Sequence, residues 1–108
     1  MMKRYGQVIR LKPGVLDEYR RYHTHAWPEI LDLIRQCNIR NYSIYHKDGT
    51  LFAYFEYTGD DFKADMAKMA ADPKTQEWWA IMMPMQDPLP TRAEGEWWAG
   101  MEEVFRAD

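Results

Sequence analysis

The amino-acid sequence predicts an α+β domain in which strands and helices follow the order β-α-β-β-α-β. Three observations lead to this fold class: strand-like alternation at the start, a helical apolar stripe after it, and two aromatic, strand-like segments around an Asp-Gly turn. This order is typical of the ferredoxin-like arrangement, an antiparallel sheet with its helices on one face. The other face of such a sheet has to be covered, which favours a dimer.

The first strand and the first helix are separated by a clear change of period. Residues 3–12 alternate and are predicted to form a strand that ends at Pro13-Gly14. From Val15 the apolar residues follow the spacing of an amphipathic helix. The stripe consists of Leu16, Tyr19, His23, Trp27, Ile30 and Ile34. Because Pro28 has no N–H to donate to the carbonyl of Thr24, a kink or break is expected within residues 24–28.

The middle of the chain predicts a β-hairpin. Residues 39–46 and 50–57 are strand-like, and Asp48-Gly49 lies between them. Asp-Gly favours a two-residue loop because a type I′ turn needs positive φ at both central positions. With this loop, Tyr42 is expected to face Phe55, and Tyr45 to face Phe52.

Two further helices and a last strand are predicted in the second half of the chain. A helix opens after Thr58-Gly59-Asp60 with the apolar stripe Phe62, Met66, Met69 and Ala70. Asp72-Pro73 predicts an N-cap and a first helical residue, which would start a short helix that carries Trp78-Trp79. Three prolines favour an irregular loop over residues 84–95. Residues 97–106 are predicted to form the last strand, with Trp97 and Trp98 on opposite faces.

Length, charge and composition exclude several classes of function. The 108 residues predict a single domain over 1–108. The formal net charge of −3 disfavours nucleic-acid binding. No segment is apolar enough for a signal peptide or for the ~20 residues of a membrane helix, so a cytoplasmic protein without a membrane partner is expected. Cys37 is the single cysteine and is predicted to be a buried, unreactive residue.

The aromatic content points to a pocket or an interface. Five Trp, seven Tyr and four Phe make up 15% of the chain, and eight Met accompany them. A domain of this size cannot easily bury all of these side chains, so some are expected to line a ligand pocket or to contact a partner subunit. Trp78 and Trp79 are about 100° apart on a helix, so one is predicted to be in the core and the other to line a cleft.

His23 is the candidate for acid–base chemistry. Tyr19 and His23 are neighbours at i and i+4 on one helix face, with Trp27 one turn further along. Histidine is the side chain best suited to proton transfer near neutral pH. From the residue types alone, a hydrogen-bonded and inert histidine in a core stripe is the favoured interpretation, because helical aromatic stripes usually belong to the core.

No metal site is expected from the histidines. His23 and His25 point about 200° apart on a helix and could share a metal ion only in a strand or loop. The surrounding period is helical, which disfavours such a site.

Four blocks of residues together carry a resemblance to a known family. They are Tyr19-x-x-x-His23-x-x-x-Trp27-Pro28-Glu29, Asn41-Tyr42-Ser43-Ile44-Tyr45, Gln76-Glu77-Trp78-Trp79 and Glu103-Val104-Phe105. In order and spacing they resemble the L-rhamnose mutarotase family over nearly the whole chain. The resemblance implies a cytoplasmic homodimer with the dimeric, ferredoxin-like α+β barrel fold. It also implies an isomerase that interconverts the α and β anomers of L-rhamnose and needs no cofactor.

The resemblance also implies roles for individual residues. His23 matches the position of the catalytic proton donor. Tyr19 and Tyr42 match two tyrosines that bind the sugar, and Trp78 and Trp79 match a pair that contacts it. The base that removes the anomeric hydroxyl proton stays open among a carboxylate, a water molecule and His23 itself.

Other functions are compatible with the same residues. They are a mutarotase for another 6-deoxy sugar such as L-fucose, a non-catalytic sugar-binding module, and a cofactor-free or haem-degrading monooxygenase of the same fold. The resemblance gives His25 no role.

Overall fold

The computed structural model describes residues 2–108 and contains an antiparallel sheet with four helices on one face. The strands are β1 (Lys3–Leu11), β2 (Ile39–Lys47), β3 (Thr50–Tyr57), β4 (Gln86–Asp87) and β5 (Ala99–Met101). The helices are α1 (Leu16–Thr24), α2 (Pro28–Gln36), α3 (Phe62–Ala71) and α4 (Pro73–Met82), followed by a 3-10 turn at Met83–Met85. The predicted α+β class is confirmed.

The sheet has the strand order β2-β3-β1-β4, and β5 also pairs with β1. All pairs are antiparallel, and β3 pairs with β1 from Lys3↔Tyr57 to Arg10↔Thr50. Because side chains alternate along a strand, Ile9, Leu51 and Phe55 point towards the helices, where they are buried. The alternate residues form the face of the sheet that carries no helix.

The predicted break in the first helix is confirmed, and it divides the stripe between α1 and α2. Trp27 has φ −66° and ψ 133°, the extended conformation expected for a residue that precedes proline. The amide of His25 donates a last helical hydrogen bond to the carbonyl of Arg21 (3.2 Å), and α2 begins at Pro28. The break therefore ends α1 one residue after His23.

The hairpin between β2 and β3 has the predicted two-residue loop. Asp48 and Gly49 have φ values of 50° and 79°, as a type I′ turn requires, and Tyr45 pairs with Phe52. The register shifts further along, between Arg40 and Ser43.

A bulge at this shift modifies the predicted Tyr42–Phe55 pair. Asn41 has φ 51°, and it and Tyr42 together lie opposite Phe55. The two rings still contact each other, with centroids 5.6 Å apart. Asn41 is held there by its side chain, which donates to a carboxylate oxygen of Glu56 (2.8 Å).

The prediction of a last strand over residues 97–106 is wrong in extent. β5 contains three residues and pairs only with Gly6, Gln7 and Val8. β4 occupies the same edge of β1 at Arg10 and Leu11, so Trp97 and Trp98 cannot pair there. Both tryptophans precede the strand and pack against the same core, so their predicted split between two faces is also wrong.

The predicted irregular loop over residues 84–95 is only partly irregular. Its first residues complete the 3-10 turn and form β4, whose Gln86 pairs with Leu11. The carbonyl of Met85 also accepts a hydrogen bond from the amide of Lys12 (2.9 Å). These contacts join the loop to β1, beside the helical layer.

The core lies between the helices and the sheet. Its larger cluster contains Ile9, Leu11, Tyr19, Ile30, Leu51, Trp78, Met82 and Met85. Cys37 is fully buried, as predicted, and burial raises the pKa of its thiol, which keeps the thiol protonated. Asp72 caps α4 through the amides of Lys74 and Thr75. Within residues 2–108, no helix has the length and apolarity that a membrane span requires.

Candidate active site

The five predicted site residues converge on one cavity of about 240 Å³. It lies between α1, the bulge in β2, the end of α4 and the segment that precedes β5. The lining side chains are Tyr19, His23, Tyr42, Ile44, Trp78, Trp79, Met82, Met83, Gln86, Trp97 and Trp98. An apolar wall with a few convergent polar groups is typical of a small-molecule site, and this volume suits a ligand smaller than a drug.

A second, larger cavity of about 570 Å³ adjoins the first and shares Tyr19, His23, Tyr42 and Trp78 with it. Its remaining wall is mostly aliphatic and lies between α1, α2 and the β2-β3 hairpin. Trp79 and Gln86 do not line it. The smaller cavity therefore holds all five predicted site residues together with Gln86 and is the candidate active site.

The orientation of the His23 ring follows from a hydrogen bond within α1. Its Nδ1 lies 2.7 Å from the backbone carbonyl oxygen of Tyr19, one helical turn earlier. A carbonyl oxygen only accepts, so Nδ1 carries the proton and donates it. In the neutral ring, Nε2 is then unprotonated and free to accept a proton from a ligand.

Two aromatic contacts hold the same ring. Tyr19 stacks on it with centroids 4.3 Å apart, and Trp78 meets it edge-on at 5.4 Å. Burial lowers the pKa of His23 from its ordinary value, and the hydrogen bond to the Tyr19 carbonyl partly opposes this shift. His23 is thus predominantly neutral at pH 7, with Nε2 available as a base.

Tyr19 and Tyr42 bring two hydroxyl groups to the cavity. Burial raises the pKa of Tyr19, and a hydrogen bond from Gln86 partly opposes that shift. Although 42% of the Tyr42 surface is exposed, burial around its hydroxyl and the nearby Tyr19 hydroxyl raise its pKa to about 12. Both phenols therefore stay protonated at neutral pH and can donate hydrogen bonds.

Trp78 and Trp79 divide as predicted between core and cleft. Trp78 is 9% exposed and also meets Trp27 edge-on at 5.2 Å, whereas Trp79 is 40% exposed. Both line the smaller cavity. Trp78 thus supports the His23 ring from the core, and Trp79 offers an accessible indole face.

The sequence analysis missed the contacts that Gln86 and Trp97 make in this site. Gln86 donates from Nε2 to the Tyr19 hydroxyl (3.0 Å) and accepts at Oε1 from the indole N–H of Trp97 (2.8 Å). Gln86 lies in the segment that was predicted to be an irregular loop, and no motif surrounds it. The closure of this segment onto β1 brings it to Tyr19, 67 positions earlier in the chain.

The site contains no arrangement typical of a metal centre. Among residues 2–108, no group of three or more His, Cys, Asp or Glu side chains is close enough to hold a metal ion. His25 is exposed in the break between α1 and α2 and does not line the smaller cavity.

Comparisons with known proteins give a consistent result. A sequence model of the L-rhamnose mutarotase family matches residues 4–107. A protein from Ligilactobacillus salivarius named L-rhamnose mutarotase is 35% identical, with 100% of each chain covered. One of the same name from Sinorhizobium fredii is 36% identical, with 88% of each chain covered. The crystal structure of L-rhamnose mutarotase from Formosa agariphila superposes with a TM-score of 0.78 at 25% identity, covering 98% of this chain and 99% of the other.

Proposed function

This chain belongs to the L-rhamnose mutarotase family, and we propose that it is an isomerase that interconverts the α and β anomers of L-rhamnose. We further propose that the 108 residues form one domain that works in the cytoplasm without a cofactor. The observation that carries it is the convergence of Tyr19, His23, Tyr42, Trp78 and Trp79 on one cavity. None of the matches described above favours the monooxygenase or the binding module.

Mutarotation requires two proton transfers. One oxygen of the sugar loses a proton, and a different oxygen of the sugar gains one. The anomeric hydroxyl loses its proton, the bond between C1 and the ring oxygen breaks, and the ring oxygen gains a proton. The open-chain aldehyde then rotates about the C1–C2 bond and closes by the reverse steps. A positioned acid or base contributes about 10²–10⁴ in rate to such a transfer.

His23 is proposed to move this proton. In its neutral form, Nε2 is the free acceptor because Nδ1 donates to the Tyr19 carbonyl. It takes the proton of the anomeric hydroxyl and, as imidazolium, donates it to the ring oxygen. Both oxygens are bonded to C1, so one nitrogen can reach each in turn. His23 then acts as the proton donor only after it has acted as the base.

The other four residues are proposed to hold the sugar. The protonated hydroxyls of Tyr19 and Tyr42 can donate to sugar oxygens, and both phenols are kept neutral by their raised pKa values. The indole face of Trp79 can cover the apolar side of a 6-deoxy sugar, including its methyl group. Trp78 lines the same cavity and keeps the His23 ring in place.

The direct test is saturation transfer between the α and β anomeric proton signals of L-rhamnose at equilibrium. We expect transfer with the protein that exceeds the slow transfer in buffer alone, because His23 supplies a positioned proton carrier. L-Fucose measured in parallel distinguishes a mutarotase for another 6-deoxy sugar. No added transfer with either sugar would contradict the proposed function.

The partner of the chain is proposed to be a second copy of itself. The face of the sheet without helices carries Val8, Tyr45, Phe52, Tyr54 and Met101, called here the open face. Tyr45 is 60% exposed, and Phe52 and Met101 are also exposed, an arrangement that leaves large apolar side chains in water. Packing of two open faces would bury them, and a symmetric dimer needs only one such self-complementary patch.

We expect the protein to sediment as a dimer, at twice the 13.0 kDa of the chain. Phe52→Glu should shift it to the monomer, because a carboxylate in the centre of the open face would be buried without a partner. Leu31→Glu, a similar change at an exposed apolar residue of α2, is the control and should leave the dimer intact. A Phe52→Glu variant that stays dimeric would exclude the open face as the interface.

A further inference from the structure

We infer that Gln86 and Trp97 position the Tyr19 hydroxyl as a hydrogen-bond donor to the bound sugar. The inference rests on the proposed function, since it concerns how the same cavity holds its substrate. Nothing in the sequence pattern or in the resemblance gives either residue a role. Two hydrogen bonds connect Trp97 through Gln86 to Tyr19.

The indole of Trp97 determines which end of the Gln86 amide faces it. An indole N–H donates and cannot accept, and its partner lies 2.8 Å away. The amide oxygen must therefore point towards Trp97, because the amide nitrogen has only protons to offer. The orientation of the Gln86 amide therefore follows from the fact that the Trp97 indole N–H can only donate.

The nitrogen end of the Gln86 amide then determines whether the Tyr19 hydroxyl donates or accepts in their hydrogen bond. The Gln86 nitrogen faces the Tyr19 oxygen at 3.0 Å and can only donate, so the phenol oxygen accepts. The phenol proton cannot point at Gln86 and must be directed elsewhere. Among residues 2–108, no protein group accepts a hydrogen bond from this hydroxyl. Because Tyr19 lines the cavity, an oxygen of a ligand there can accept its proton.

The fold holds the Gln86 amide in this position. β4 pairs with β1 through Leu11↔Gln86, and Gln86 lines the cavity while only 5% of its surface is exposed. A buried amide group destabilises the fold unless its N–H donor and its carbonyl acceptor both form hydrogen bonds. In Gln86 both groups do. The pair of hydrogen bonds thus makes a rigid support between Trp97 and Tyr19, which is what positions a hydroxyl before the ligand arrives.

The first test is Gln86→Met, which keeps the length of the side chain and removes both polar atoms. L-Rhamnose affinity is measured by tryptophan fluorescence, and kcat and KM by saturation transfer. We expect Kd and KM to rise about tenfold with kcat nearly unchanged, because the Tyr19 hydroxyl loses its fixed direction in ground state and transition state alike. Gln36→Met, the same change at an exposed residue of α2, is the control and should match the unmodified protein.

The second test, Gln86→Glu, reverses the direction of the hydrogen bond with pH. A protonated carboxyl can donate to Tyr19 as the amide does, so affinity at low pH should be close to normal. The ionised carboxylate only accepts, so it would take the Tyr19 proton in a hydrogen bond and turn it away from the sugar. We expect Kd to rise with pH in this variant and not in Gln36→Glu.

The outcomes distinguish a positioning role of Gln86 from a role in packing only, and both from a failure of the proposed function. An unchanged Kd in Gln86→Met, or a lower kcat with unchanged KM and a lower Tm, would overturn the inference. If Gln86→Met does not fold, Trp97→Phe removes the indole N–H together with the pyrrole ring and should weaken sugar binding by a smaller factor. If the unmodified protein binds the sugar without faster anomer exchange, this result would instead contradict the proposed isomerase. The Kd of the Gln86 variants for L-rhamnose would still test the inference.

Discussion

Replacing His23 with Asn is expected to lower kcat by about 10²–10⁴ while the protein stays folded and dimeric. Asparagine keeps a polar group beside the Tyr19 carbonyl but has no titratable nitrogen to carry the proton between the two sugar oxygens. Saturation transfer with L-rhamnose measures the rate, and circular dichroism and sedimentation check the fold and the dimer. The matched control is His25→Asn, two residues away, exposed and outside the smaller cavity.

The pH profile of the unmodified protein tests the same assignment. Burial lowers the pKa of His23 below 6.5, and in the proposed mechanism the neutral form starts the reaction. The catalysed rate should therefore be constant at pH values well above the pKa of His23 and fall as the pH decreases through this lowered pKa. His25→Asn should keep this profile. A fully active His23→Asn variant, or a rate that increases as the imidazole becomes protonated, would contradict the assigned role.

Trp78→Ala is expected to cost about 3–5 kcal/mol of unfolding free energy, a large share of the stability of a small domain. Trp78 is 9% exposed and contacts His23, Tyr22 and Trp27, so its removal leaves a cavity in the core and frees the His23 ring. Thermal unfolding should show a Tm lowered by roughly 10–20 °C, with activity lost in parallel.

Trp79→Ala is the matched variant at the adjacent position. Because Trp79 is 40% exposed, its loss should cost less than about 1 kcal/mol of stability. Its indole lines the smaller cavity, so sugar affinity should fall although the Tm barely changes. Equal effects of the two substitutions on Tm would show that the division between core and cleft is wrong.

The helix that carries the acid–base candidate was predictable because its signals are local. The spacing of Tyr19, His23 and Trp27 determines a shared helix face. Pro28 lacks an N–H and restricts the backbone conformation of Trp27, so the break between α1 and α2 follows from this one proline. The turn at Asp48-Gly49 is local in the same sense, since few other pairs tolerate positive φ at both positions.

The contacts that complete the site depend on residues far apart in the chain, and local signals do not report them. Gln86 meets Tyr19 because β4 pairs with β1, and the same pairing prevents a long last strand and leaves Trp97 free to meet Gln86. The extra residue at Asn41 also alters a register that the hairpin loop alone would set. Short-range rules of spacing and turn chemistry therefore identify the helix, the hairpin and the candidate histidine. Competition among strands for one edge of β1, which depends on the whole chain being folded, selects the residues that hold Tyr19 in place.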